Sequence, residues 1–293
     1  MTDDTHSIRG GALAATIKAQ GAELCSLKHD SGLELIWQAG PEWPRHAPLL
    51  FPIVGRLKND ELHNGGQTYR LTQHGFARDR RFICLERTSS RCVLELCDDA
   101  ATRALYPFAF RLVAAYTLDD AGLELMLTIS NTGEETLPAS LGGHPAFNWP
   151  LKPGLPKESY ALTFAADEPN PIRRLEGGLL RAALEPTPVR GKVLPLSEAL
   201  FTDDAIILDQ INSSSIRYAA GQGPWVEVSW SGFREVGIWS KPSGAPFLCI
   251  EPWRGTASPA GFDGAFTSKP GVMHIAPGGE EILSFRIAVG TST

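Results

Sequence analysis

Two of the histidines, one glutamate and their neighbours carry the reactive side chains of this 293-residue sequence. They fall in four short segments held between glycines and prolines. These are Phe51-Pro52-Ile53-Val54-Gly55-Arg56-Leu57, His74-Gly75-Phe76-Ala77-Arg78, Gly142-Gly143-His144-Pro145-Ala146-Phe147-Asn148-Trp149 and Ile250-Glu251-Pro252-Trp253. An imidazole and a carboxylate are natural partners for general acid–base catalysis, each worth roughly 10²–10⁴ in rate. Glu251 follows the apolar run Phe247-Leu248-Cys249-Ile250. A carboxylate at the end of a buried strand is costly unless it is paired or working. Plain structural readings stand beside these. Arg56 could be a surface cation, His74 a turn histidine and Glu251 the partner of a nearby arginine. Gly142 and Gly143 could supply a tight turn with positive φ, and Trp149 and Trp253 could be core aromatics. His74, His144 and Glu251 also match a two-histidine, one-carboxylate metal set in type. They lack His-x-His or His-Glu-x-x-His spacing, so no metal is expected.

The elements that position these residues read as strands. Glycine and proline are scattered along the chain and punctuate short apolar runs, the pattern of strands joined by turns. Residues 123–129 alternate, with Leu123, Leu125, Leu127 and Ile129 opposed to Glu124, Met126 and Thr128. That is the period of a half-buried strand, and Asn131-Thr132-Gly133-Glu134 reads as the turn after it. Residues 225–230 alternate too, and 91–96, 110–118, 235–240, 247–250 and 282–289 are further strand candidates. Helical periodicity is weak. A short turn of helix over 197–201, with Ser197 as N-cap, is the best candidate. The proline-dense stretch 151–195 reads as a long irregular connection. No composition shift marks a boundary, so residues 1–293 read as one all-β domain. The fold class expected is a large antiparallel β-sandwich with few short helices, whose concave sheet face can take a ligand.

Composition excludes several functions. The formal net charge is -6, whereas a nucleic-acid-binding protein needs a basic footprint. The cysteines Cys25, Cys84, Cys92, Cys97 and Cys249 are odd in number and form no Cys-x-x-Cys, against metal-finger and redox motifs and in favour of a reducing compartment. No stretch approaches the roughly 18 apolar residues of a membrane span. The start, Met1-Thr2-Asp3-Asp4, is acidic where a signal peptide is basic. A cytoplasmic protein, monomer or homodimer, with no nucleic-acid or membrane partner is the expectation.

Together the four segments resemble the aldose 1-epimerase (galactose mutarotase-like) superfamily, in the branch that contains hexose-phosphate epimerase-like proteins. The pair His-Gly-Phe-Ala-Arg and Gly-Gly-His-Pro-Ala-Phe, in that order, carries the resemblance, and Glu-Pro-Trp strengthens it. It runs from Ala22-Glu23-Leu24-Cys25-Ser26-Leu27 to the closing strand near Phe285. The resemblance implies the galactose mutarotase-like supersandwich, a sugar or sugar phosphate as small-molecule substrate, and no metal or organic cofactor. It makes His144 the general acid and Glu251 the general base. His74 becomes the second active-site histidine, Arg56 the arginine that contacts sugar hydroxyls, and Asp204 the substrate-binding aspartate, with Asp203 and Asp209 as nearby alternatives. Arg78 belongs to the branch motif and points to an anionic substrate or an ion pair. With Arg56 and Arg80 it is a candidate phosphate clamp. Trp253 is placed to stack on a sugar ring. The reaction implied is anomer interconversion by ring opening and reclosure, with Glu251 keeping His144 charged and a bell-shaped pH profile that belongs to the pair. The rival is a non-catalytic sugar-binding or sugar-sensing protein on the same fold, which needs no acid–base pair.

Overall fold

Period-two burial builds the main strands. In Gly122–Asn131, Leu123, Leu125, Leu127 and Ile129 are buried while Glu124 and Met126 face solvent. A computed structural model describes residues 4–221, 223–242 and 244–291, and the acidic start at residues 1–3 lies outside them. The largest sheet has nine strands, in the spatial order Val193–Pro195, Tyr160–Phe164, Ser215–Ala220, Pro224–Ser231, Glu280–Thr291, Gly122–Asn131, Phe110–Leu118, Arg91–Cys97 and Ile83–Arg87. Neighbours in it are antiparallel. A smaller sheet runs Ile206–Leu208, Glu235–Trp239, Phe247–Arg254, Leu141–Gly143 and Leu49–Leu50, with Ala146–Asn148 also paired to Phe247–Arg254.

The two sheets share one hydrophobic core, which makes the architecture an antiparallel β-sandwich. Leu123, Leu125, Leu127 and Ile129 of the large sheet join Ile206, Leu208, Val236, Ile238, Leu248 and Ile250 of the small one. The alternate residues of the small sheet face the other way. Ile207 and Trp253 pack in one outer cluster and Phe247 and Cys249 in another. Glu251 lies between Cys249 and Trp253 on that same face, by the two-residue repeat of a strand.

Some local expectations change. The run at 247–250 continues to Arg254, so Glu251 is inside a strand and not at its end. Gly142 and Gly143 make no positive-φ turn; they close a strand, Leu141–Gly143. A Cβ on Gly142 would come within 2.7 Å of the Trp253 ring, and one on Gly143 within 2.5 Å of Phe285, so these glycines make room for aromatics on opposite faces. The stretch 151–195 includes a strand of the large sheet, Tyr160–Phe164. Its burial alternates, with Tyr160, Leu162 and Phe164 inward. The turn at Glu198–Phe201 is a 3₁₀ helix, and Ser197 precedes it without a side-chain cap bond. A short α-helix at Ala100–Arg103, closed by an Asp99–Thr102 capping box, has too few residues to show periodicity. Among the described residues no helix is long and apolar enough to cross a membrane.

Candidate active site

The outer face of the small sheet floors a cleft of ≈ 250 Å³. His74, Arg78, His144, Asp204, Glu251 and Trp253 all line it. The chain reaches it from several directions. Glu251 and Trp253 project from Phe247–Arg254. His144 stands just after Leu141–Gly143. His74 and Arg78 come from the loop that packs on Phe51, through the Phe76 and Ala77 amides donating to the Phe51 carbonyl at 3.0 and 3.2 Å. A wider groove of ≈ 850 Å³ lies elsewhere, at Trp37, Trp149, Lys152 and Pro153, and neither His144 nor Glu251 lines it.

His144 Nε2 and Glu251 Oε2 are 3.2 Å apart. Both residues are almost sealed, at 6% and 1% exposure, and burial decides where their proton sits. Loss of water, followed by the Arg78 charge, pushes the His144 imidazole down to about 3. Loss of water pushes the Glu251 carboxyl well above the usual carboxylate range; the Trp253 indole opposes this and the Asp204 charge adds to it. The expectation that Glu251 keeps His144 charged is thereby corrected. Separated charges in so dry a site are costly, so the one proton of the pair belongs on the carboxyl and the imidazole is neutral.

The surroundings hold the imidazole in place. Trp43 stacks on His144 with ring centroids 4.8 Å apart, Trp239 meets it edge-on at 5.8 Å, and His74 meets it edge-on at 5.6 Å. His74 is fixed from behind, because the Gly55 amide donates to its Nδ1 at 3.1 Å. The proton of neutral His74 therefore sits on Nε2, which faces the Gln73 side chain at 3.3 Å. Burial, with the Arg78 charge adding to it, holds this ring far below the ordinary histidine range, so His74 is a neutral donor. Its backbone is left-handed, with φ 66, a strained value for a residue with a Cβ.

Arg78 donates to the Gln73 carbonyl at 2.6 Å, and its Nε is buried without a hydrogen-bond partner. Burial, then the nearby Arg45 charge, lowers its guanidinium to about 10. Asp204 is also left-handed, with φ 67. Its Oδ1 caps its own turn by accepting from the Ala205 amide at 2.8 Å. Asp203 is exposed, and Asp209 is held by Arg173 at 2.8 Å, so of the three aspartates Asp204 is the one at the cleft. Arg56 is not brought in. Asp60 grips its guanidinium through two bonds of 2.7 and 3.0 Å. Arg80 likewise lies away from the cleft lining, over the Phe76 ring.

Sequence reasoning missed Trp43, Gln73 and Trp239, which line the cleft. Trp43 lies in an irregular loop with no periodicity to read. The loop is pinned by Glu23, whose carboxylate accepts from the His46 and Ala47 amides at 2.7 and 3.1 Å. Trp239 was legible as a strand residue, and only the facing of its strand makes it part of the site.

Comparison with known proteins shows the family and the fold. The family model described as Aldose 1-epimerase matches residues 4–270. The plasmid and chromosomal LacX proteins of Lactococcus lactis subsp. lactis are each 33% identical over 285 residues, covering 93% of this chain and 95% of theirs. A galactose mutarotase related enzyme from Lactobacillus acidophilus superposes with a TM-score of 0.93 at 35% identity, over 99% of this chain and 98% of that one. A galactose mutarotase-like protein from Lactobacillus casei ATCC 334 gives a TM-score of 0.90 at 30% identity, over 98% and 100% of the two chains.

Proposed function

The chain belongs to the aldose 1-epimerase family, and from that premise we propose that it interconverts the α and β anomers of an aldose or aldose phosphate. The observation that carries this reading is the buried pair of His144 and Glu251, 3.2 Å apart at the floor of a ring-sized cleft. Anomer exchange needs no redox step. A proton leaves the anomeric hydroxyl while the ring oxygen gains one, the ring opens, the C1–C2 bond turns, and the ring recloses. From the neutral resting pair the proton first passes from Glu251 to His144 across their 3.2 Å contact; Glu251 as carboxylate then takes the O1 proton, and His144 as imidazolium protonates the ring oxygen. After ring opening Glu251 holds the proton and His144 is neutral. That is the proton placement burial favours, so the low dielectric draws the pair toward the open-chain intermediate. Reclosure reverses both transfers, and the proton then returns from His144 to Glu251. The proton count of the pair stays at one throughout.

His74 donates from Nε2 and Asp204 accepts, which orients hydroxyls so that the reacting atoms align. Trp253 and Trp239 give apolar faces on which a sugar ring stacks. Arg78 is the cation at the cleft for an anionic substituent, since Arg56 is engaged by Asp60 and Arg80 is not at the lining. A panel of free and phosphorylated aldoses, followed by anomer-resolved NMR exchange, tests the reading. Accelerated exchange of at least one sugar supports it. Binding without acceleration across the panel would leave only a sugar-binding protein.

A further inference from the structure

We infer that the floor of the cleft is also a binding site for a thiophilic divalent cation, held by His144, Cys249 and Glu251, and that its occupation switches the acid–base pair off. One nitrogen of His144, the thiol sulfur of Cys249 and one carboxylate oxygen of Glu251 lie within 4.8 Å of one another. Ligands about 2.0–2.3 Å from a zinc ion stand roughly 3.3–3.8 Å apart in a tetrahedral set. His144 Nε2 and Glu251 Oε2 are already at 3.2 Å, and the three ligand atoms lie within 4.8 Å of one another, so the set closes by drawing Cys249 inward.

The chemistry of the three donors fits such an ion. A soft thiolate, a borderline imidazole and a hard carboxylate are all ligands that zinc accepts. One divalent cation, one thiolate, one carboxylate and one neutral imidazole sum to zero charge, which avoids the cost of a net charge in a sealed site. Glu251 Oε2 is buried and makes no hydrogen bond of good geometry, and its nearest polar neighbour is His144 Nε2, the nitrogen the ion would take. Cys249 is fully buried beside the pair, between Trp239 and Ala146 on the neighbouring strands. His144 and Glu251 line the cleft, the side from which an ion would reach Cys249 behind them.

Occupation engages the lone pair of His144 and the carboxylate of Glu251, so neither can carry a proton. The expected result is reversible inhibition. The inhibition rests on the proposed epimerase activity, whereas the binding itself does not. Cys249 takes no part in proton transfer, so it separates the two.

The test uses the full chain in a Cys84→Ser background, because His6, Cys84 and Cys92 form a second cluster of donors within 4.8 Å. Cobalt(II) is titrated in first and followed by its thiolate-to-metal charge-transfer band; zinc(II) is then added to the anomer-exchange assay. One equivalent of cobalt should produce the band, and Cys249→Ser should abolish it. Zinc should inhibit exchange, and a chelator should restore it. Cys249→Ser should keep its exchange activity while needing more zinc by more than the roughly 10–100-fold that loss of an outer-sphere metal contact costs. Cys249→Ala replaces the serine variant should that fail to fold. Absence of the band, a band that survives removal of Cys249, or zinc inhibition unchanged in the variant overturns the proposal. A chain without epimerase activity would still give the cobalt band, so the two readings fail separately.

Discussion

Gly237 is the seat of Trp253, and Gly237→Ala should unsettle the cleft from below. The two residues lie side by side in the small sheet, where Gly237 pairs with Glu251 and Glu235 with Trp253. A Cβ on Gly237 would sit 2.4 Å from two carbons of the Trp253 ring, and Gly142 closes the ring in at 2.7 Å from its own Cβ position. Non-bonded carbons prefer about 3.5–4.0 Å, so the indole must move by about 1 Å or the strands must part. Overpacking of this kind costs about 1–3 kcal/mol. The stiffer unfolded chain of alanine returns about 0.4–1 kcal/mol, so a net loss of about 1–2 kcal/mol remains. At about 2–4 °C per kcal/mol for a chain of this order of size, Tm should fall by roughly 2–8 °C in a thermal melt. Trp253 is two residues from Glu251, and misplacement by about 1 Å can cost about 10² in rate, so kcat/KM for anomer exchange should fall as well. In a Trp253→Leu background the ring is gone, and Gly237→Ala should become neutral or stabilising in the double-mutant cycle. An unchanged Tm and rate, or the same loss in the Trp253→Leu background, would refute the seating argument.

The pH dependence of exchange should be broad. The pair gains a second proton only as pH falls through the depressed His144 value, about 3, and loses its single proton as pH rises through the raised Glu251 value. The log of kcat/KM against pH should therefore show no acid limb near the ordinary imidazole value of about 6.5; a limb centred there would contradict the neutral pair. Trp43→Ala removes the ring stacked on His144. Such pairs are worth about 0.5–1.5 kcal/mol, so kcat should drop roughly 2- to 10-fold; an unaltered kcat would assign Trp43 to packing alone. Arg78→Ala should raise KM for a hexose phosphate far more than KM for a free hexose. An equal effect on both, or none on either, would remove Arg78 from phosphate binding.

The strands and two of the residues that meet in the cleft were largely legible because their signals are local. Leu123, Leu125, Leu127 and Ile129 declare a strand by period alone. His144 and Glu251 stand out because a histidine after Gly-Gly and a carboxylate in an apolar run demand a reason. What sequence hid was set by facing and enclosure. Arg56 looked free for a ligand, but Asp60, four residues on, takes its guanidinium. Trp43 sits in a loop whose path depends on Glu23 accepting two backbone amides, a contact no spacing announces. The charge state of the pair was misread for a related reason. Two opposite groups suggest mutual charging, yet at 6% and 1% exposure desolvation outweighs their attraction. A tight turn stood as one reading of Gly142 and Gly143 because the work seen in the fold, clearing space for Trp253 and Phe285, belongs to other strands.

Anomer-resolved NMR exchange on Glu251→Gln probes the proton relay itself. The amide keeps the shape of the protonated acid but cannot accept the O1 proton. The exchange rate should fall by about 10²–10⁴ while sugar binding, followed by calorimetry, is retained. Exchange at the native rate in a folded, sugar-binding Glu251→Gln chain would contradict the relay between Glu251 and His144.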